Sequence, residues 1–138
     1  MQIETLDGVE MDWRPGSRKE KKYKQSKLQQ LAVETILTVL PGTPILQEVD
    51  VPVYSNKKLR FDIYLPKHSI AVEVQGSQHS KTNPFFTTKQ GFYRQQENDE
   101  MKELWCIHND ISLLIFQYNE KPETWIEKLK QALTNVLH

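Results

Sequence analysis

From residue 28 the apolar positions fall three and four apart. Leu28, Leu31, Ala32, Ile36, Val39 and Leu40 have the spacing of a helix with one buried stripe, beginning near Ser26. Pro41-Gly42 stops it. The period then drops to two. Val49, Val51 and Val53 alternate with polar neighbours, as in a strand. Ser55-Asn56-Lys57-Lys58 reads as a turn. Leu59, Phe61, Ile63 and Leu65 alternate again, with Arg60, Asp62 and Tyr64 opposite. After the turn Pro66–Ser69, a third strand runs from Ile70 to Gln75. It sets Ile70, Val72 and Val74 on one face, and Ala71, Glu73 and Gln75 on the other. Three strands on such short connections predict an antiparallel meander.

Ser77 to Lys89 is polar apart from Phe85-Phe86 and reads as a loop. A helix is expected from about Gly91 to His108, broken by Asn109-Asp110. Ile111 to Tyr118 is apolar nearly throughout, the pattern of a strand buried on both faces. A last helix starts near Pro122, with Trp125, Leu129, Leu133 and Val136 on one face. The order is helix, three strands, helix, strand, helix. It predicts an α/β layer fold with a mixed sheet of about four strands flanked by helices.

At 138 residues the chain suits a single domain, and 38% hydrophobic with 26% charged residues is the balance of a folded, water-soluble protein. No apolar run approaches the ~18 residues of a membrane span. The N-terminus is acidic and lacks a signal-peptide pattern, so a cytoplasmic protein without membrane partners is expected. One cysteine, Cys106, excludes an internal disulfide or a cysteine-based zinc ribbon, and reads best as a small buried hydrophobe. Zero formal net charge excludes a uniformly basic surface but not a local one.

The charge is unevenly placed. Residues 1–13 hold Glu4, Asp7, Glu10 and Asp12 and no Lys or Arg. Residues 14–27 hold Arg14, Arg18, Lys19, Lys21, Lys22, Lys24 and Lys27 against Glu20 alone. The organisation expected is an N-terminal arm over 1–27, acidic then basic, ahead of one domain over 28–138. The basic stretch is either a phosphate-neutralising arm or a solvated linker running into the first helical turn. Trp13, Phe85, Phe86 and Tyr93 have the shape to stack on bases, although covering a core edge is the commoner use.

Candidate chemistry centres on the second and third strands. Joined by the Pro66–Ser69 turn, they put both apolar rows on one side and bring Asp62, Glu73 and Gln75 together on the other. Two carboxylates so placed repel unless a cation intervenes. A hard divalent ion such as Mg²⁺ takes one or two carboxylates, waters and a phosphate oxygen. The plainer alternative is an amphipathic hairpin with solvated acids. His79 follows the Gly76 turn and could swing back over the pair. On the next helix Gln95, Gln96, Asp99, Lys102 and Cys106 fall in one stripe, as a partly buried polar network would. A surface ion pair between Asp99 and Lys102 is the alternative there.

The strings Phe61-Asp62-Ile63-Tyr64-Leu65-Pro66 and Ile70-Ala71-Val72-Glu73-Val74-Gln75-Gly76-Ser77-Gln78-His79 resemble the core of PD-(D/E)XK nucleases. The likeness is nearest the very-short-patch-repair-like branch, which includes phage EDxHD homing endonucleases. Asp99-x-x-Lys102, the position of Cys106 and the strand Ile111–Phe116 continue the pattern, which covers roughly residues 28–118. The resemblance implies a restriction-endonuclease-like core and metal-dependent hydrolysis of the DNA backbone. It makes Asp62 the central metal ligand, with Glu73 and Gln75 in the second acidic motif. His79 becomes the motif histidine, Asp99 the acid of the following helix, and Glu34 the leading glutamate. Gln75 stands where many relatives carry lysine, so something else must supply that role, with His79 and Lys102 as the candidates.

The expected function is a phage-type, free-standing homing endonuclease on double-stranded DNA, with Mg²⁺, or Mn²⁺ in its place, held by Asp62 and Glu73. Cutting both strands needs two active sites and hence a homo-oligomer, a dimer or higher. If phage-encoded, it would act in the bacterial host cytoplasm. Mismatch nicking and restriction cleavage are sub-classes. A different class is an inactive nuclease fold that only binds DNA or assembles.

Overall fold

A computed structural model describes residues 1–16, 26–76 and 89–135. Strands β1 (Gln2–Glu4) and β2 (Glu10–Asp12) precede helix α1 (Lys27–Val39). Strands β3 (Leu46–Tyr54), β4 (Lys57–Leu65) and β5 (Ile70–Gln75) follow. Helix α2 (Lys89–His108), strand β6 (Ser112–Gln117) and helix α3 (Pro122–Asn135) complete the chain. The protein is α/β. Its main sheet is mixed, in the order β3-β4-β5-β6, with the first three strands antiparallel and β6 parallel to β5.

Local chemistry sets the boundaries. The Ser26 hydroxyl accepts the Gln29 N–H at 3.0 Å and caps α1. Gly42, with φ 75°, reverses the chain after it, a conformation that favours glycine. Pro122 opens α3, where its missing N–H costs nothing.

Two cores form, one on each face of the sheet. On one face α1 and α3 bring Ala32, Ile36, Trp125 and Leu129 onto Ile63, Leu65, Ile70, Val72 and Phe116. On the other face, Trp105 and Cys106 of α2 meet Val49, Val51, Val53, Phe61, Tyr64 and Ala71. β6 forms an edge of the sheet. Ser112 to Ile115 are only half-buried, although full burial was expected of so apolar a strand.

The expected single apolar row on β4 is corrected. Ile63 and Leu65 face α1 and α3, whereas Phe61 packs with Trp105 on the α2 face, beside Asp62. The alternation breaks at Phe61-Asp62. Across the ladder Glu48 takes a left-handed φ of 55°, and no Glu48–Asp62 pair interrupts the run from Gln47↔Ile63 to Val49↔Phe61. The register holds across this point, with one residue on each strand between the two pairs, so both strands turn here without an inserted residue; the register shift of this ladder lies between Pro52 and Tyr54.

The first 13 residues are not an arm. β1 and β2 form an antiparallel hairpin that closes the α2-side core. Trp13 is buried, with its ring 5.0 Å from Tyr64 and 5.2 Å from Trp105, and its Nε1 donates to the Asp50 carbonyl. Asn109 clasps the Glu4 backbone through both its amide groups, and Asp7 accepts from Ser55. These acids serve folding contacts, a use that charge counting did not anticipate. Trp13 is therefore a core residue. Of the basic stretch, Arg14 and Lys27 are described and exposed, while Arg18, Lys19, Lys21, Lys22 and Lys24 lie outside the described residues.

Candidate active site

The β4–β5 ladder pairs Ile63↔Val72, Tyr64↔Ala71 and Leu65↔Ile70, then stops. The next pair would be Asp62 opposite Glu73. There the side chains take over from the backbone. Val74 N–H donates to Asp62 Oδ2 at 2.8 Å, and Asp62 N–H donates to Glu73 Oε2 at 3.2 Å. Each strand thus grips the other's carboxylate, which fixes both acids at the point where the strands part.

Helix α2 lies over this opening. Trp105 and Cys106, both buried, anchor its C-terminal half in the core. One turn earlier, the same face presents Lys102, then Asp99 and Gln95, at the three- and four-residue spacing of one stripe. Gln95 Nε2 lies 3.5 Å from Asp99 Oδ1. Asp62, Glu73, Gln75, Gln95, Asp99 and Lys102 line one hollow of about 160 Å³. A second hollow of about 500 Å³ adjoins it, sharing Asp62, Gln95 and Lys102 and extending past Arg60 and Asn98.

Electrostatics here are set by burial. Glu73 is 7% exposed, and its carboxyl is pushed up to about 8, first by loss of hydration and then by the Asp62 charge. Lys102 acts in the opposite sense. Its ammonium lies 2.5 Å from Glu73 Oε1, with only 14% of its side chain exposed. Lys102 is therefore a partner of the sheet, and the surface reading of that residue is set aside. Cys106, buried beside the same charges, has its thiol pushed up to about 12, chiefly by burial. It is a packing residue and no nucleophile.

Among the residues singled out from sequence, the structure gathers Asp62, Glu73, Gln75, Asp99 and Lys102 in one place. It does not bring Glu34 there. Glu34 is exposed on α1, the helix packed on the opposite face of the sheet. The residue of α1 that does reach the site's backbone is Gln29. It is 7% exposed, and its Nε2 donates to Gln47 Oε1 at 3.1 Å and the Asp62 carbonyl at 3.3 Å. Its position, one turn from the Ser26 cap, is the only sequence signal that pointed to it. His79, Phe85 and Phe86 lie outside the described residues; Tyr93 is 59% exposed.

Among the described residues no three His, Cys, Asp or Glu side chains close into a metal-holding cluster. The donor set that is present is a pair of carboxylates, each with one oxygen engaged by a backbone amide. Carboxylate oxygens are hard donors of the kind that Mg²⁺, Ca²⁺ and Mn²⁺ take, and the second oxygen of Glu73 is engaged by Lys102.

No family model matches the chain, and no solved structure matches it. Among curated proteins it is 38% identical over 78 residues to "Uncharacterized protein 307L" of Invertebrate iridescent virus 6. The match covers 54% of this chain and 40% of that protein, so the chain spans well under half the length of this relative. Among the described residues no helix is long and apolar enough to cross a membrane.

Proposed function

We propose that this chain has a restriction-endonuclease-like core of the PD-(D/E)XK type and is a metal-dependent DNA endonuclease. The observation that supports it best is the exchange of backbone amides between Asp62 and Glu73, with Lys102 closing over the pair. A solvated amphipathic hairpin has no use for a carboxylate that is 7% exposed beside a second one.

In this reading Asp62 and Glu73 hold the ion, Mg²⁺ or Mn²⁺ in its place. When bound, that ion would polarise the scissile phosphate and acidify an attacking water. The amides of Val74 and Asp62 keep the two carboxylates aimed without reorganisation. Lys102 is the cation that stands in for the lysine expected at Gln75. Gln75 and Asp99, lining the same hollow, position water, and the resemblance adds His79 to that task. Double-stranded DNA is the substrate, gripped by the basic stretch Arg14–Lys27. A free-standing phage-type homing endonuclease working as a dimer or higher oligomer in the cytoplasm is the form favoured, with mismatch nicking and restriction cleavage as sub-classes.

The test is cleavage of supercoiled plasmid and a pool of phage DNA, with Mg²⁺, with Mn²⁺ and with EDTA, alongside Asp62→Ala. Metal-dependent cutting that the substitution abolishes supports the reading, and cutting unchanged by it refutes the site. The second reading, an inactive nuclease fold, is favoured by Gln75 in the lysine position. It predicts salt-sensitive DNA binding without cutting under any of the three conditions.

A further inference from the structure

Lys102 is placed differently from a surface lysine of a helix. Its side chain crosses the gap to the sheet and meets Glu73 Oε1, at the wall where the two hollows join. Glu73 presents its other oxygen to the Asp62 amide. The ammonium thus lies on the carboxylate oxygen that the backbone does not hold. It sits beside Asp62, where a positive charge offsets the repulsion between the two acids. An ammonium and a hydrated divalent cation answer the same need there, and the 160 Å³ hollow brings them into competition for one oxygen.

Resting on the nuclease reading, we propose that Lys102 is the internal counter-ion of this site. It holds Glu73 while no metal is bound, gives up that oxygen when a divalent cation binds, and turns into the larger hollow to meet a DNA phosphate. The larger hollow is open to it, since Lys102 lines both. The four-carbon stem lets the ammonium move without shifting α2, which Trp105 and Cys106 pin in the core. The arrangement replaces a lysine fixed on the sheet by one that is released only in the loaded site.

The experiment follows the reactivity of Lys102 in the full wild-type chain toward an amine-acylating reagent at pH 8, read by peptide mass spectrometry. Lys128, paired with Glu120 at 2.8 Å on α3, serves as the internal standard. Mn²⁺ binding is followed in parallel by the paramagnetic resonance of the free ion. Acylation of Lys102 is expected to rise about tenfold on adding Mn²⁺, the factor that corresponds to losing one charge-assisted hydrogen bond. Lys128 should not change, and Asp62→Asn should remove the rise. Adding a short DNA duplex with Ca²⁺ in place of Mn²⁺ should protect Lys102 again. If Mn²⁺ binds and Lys102 acylation stays level, the counter-ion role is overturned while the nuclease reading stands. If the rise occurs but the duplex gives no protection, the phosphate contact is overturned. If no Mn²⁺ binds, both this inference and the metal-dependent reading fail.

Discussion

Replacing Lys102 by methionine keeps most of the buried stem and removes the ammonium with its charge and its hydrogen bond to Glu73. The consequence depends on pH in a way that Glu73 fixes. The Glu73 carboxyl titrates at about 8, against 4.5 for an ordinary glutamate, because burial opposes its ionised form. Between those values the folded protein binds the proton and the unfolded chain does not. Glu73 therefore contributes stability that is full below about 4.5 and lost as pH rises through about 8. The Lys102 ammonium limits that loss by favouring the carboxylate. Without it, Glu73 stays protonated to higher pH, and this sets a ceiling on the damage. At pH 9, above the value at which Glu73 titrates in the wild type, the ceiling is on the order of 1 kcal/mol. At pH 6, Glu73 is neutral in both proteins and the charge of Lys102 is worth little to it. Urea unfolding followed by tryptophan fluorescence should show Lys102→Met close to wild type at pH 6. It should be destabilised by about 1 kcal/mol at pH 9, or roughly 4 °C in Tm for a domain of this size. An equal loss at both pH values, or a larger one at pH 6, would refute the account of the pair.

Trp13→Ala should cost about 3 kcal/mol in urea unfolding, because the ring is buried between Tyr64 and Trp105; a change under about 0.5 kcal/mol would return residues 1–13 to the status of an arm. Plasmid cleavage should drop about 100-fold or more with Asp62→Ala, while Glu34→Ala leaves it unchanged; a large Glu34 effect would contradict the placement of that side chain away from the site. Neutralising Lys19, Lys21, Lys22 and Lys24 together should weaken binding to every duplex and reduce the salt slope by up to about 3.6. Fluorescence anisotropy at several salt concentrations checks this, and an unchanged slope removes the basic stretch from the DNA interface.

How far the chain could be read depended on what kind of order each segment carries. Periodicity located α1, β3 to β6, α2 and α3 within a few residues, because each buries a face that its own spacing records. The hairpin β1–β2 was missed. It is three residues per strand, and its burial rests on Ile3 and Trp13, too few positions to show a period. Its acids hid it further, since Asp7 and Glu4 read as solvated charge and serve as acceptors for Ser55 and His108. The acid pair was legible from alternation on β4 and β5, and so was the stripe Gln95, Asp99 and Lys102. The leading glutamate was not. Glu34 came from a pattern of residue types, and only tertiary packing shows that α1 sends Gln29, not Glu34, toward Asp62.

The break at Phe61-Asp62 explains why the site lies where it does. In an uninterrupted ladder Asp62 and Glu73 would form one more cross-strand pair, and the ladder would continue past them to Val74. The pairing ends one step short, and on the other side of Asp62 Glu48 takes a left-handed φ between the pairs Gln47↔Ile63 and Val49↔Phe61. Amides left without a ladder partner must find acceptors, and the nearest are the two carboxylates. Bonding to those amides holds the acids side by side, a position their charges alone would oppose. That leaves a local need for positive charge at the place where the β4–β5 ladder stops beneath α2. Lys102 answers it in the folded chain. The same need would draw a divalent ion, so the end of the ladder at Asp62 and the candidate site are one structural fact.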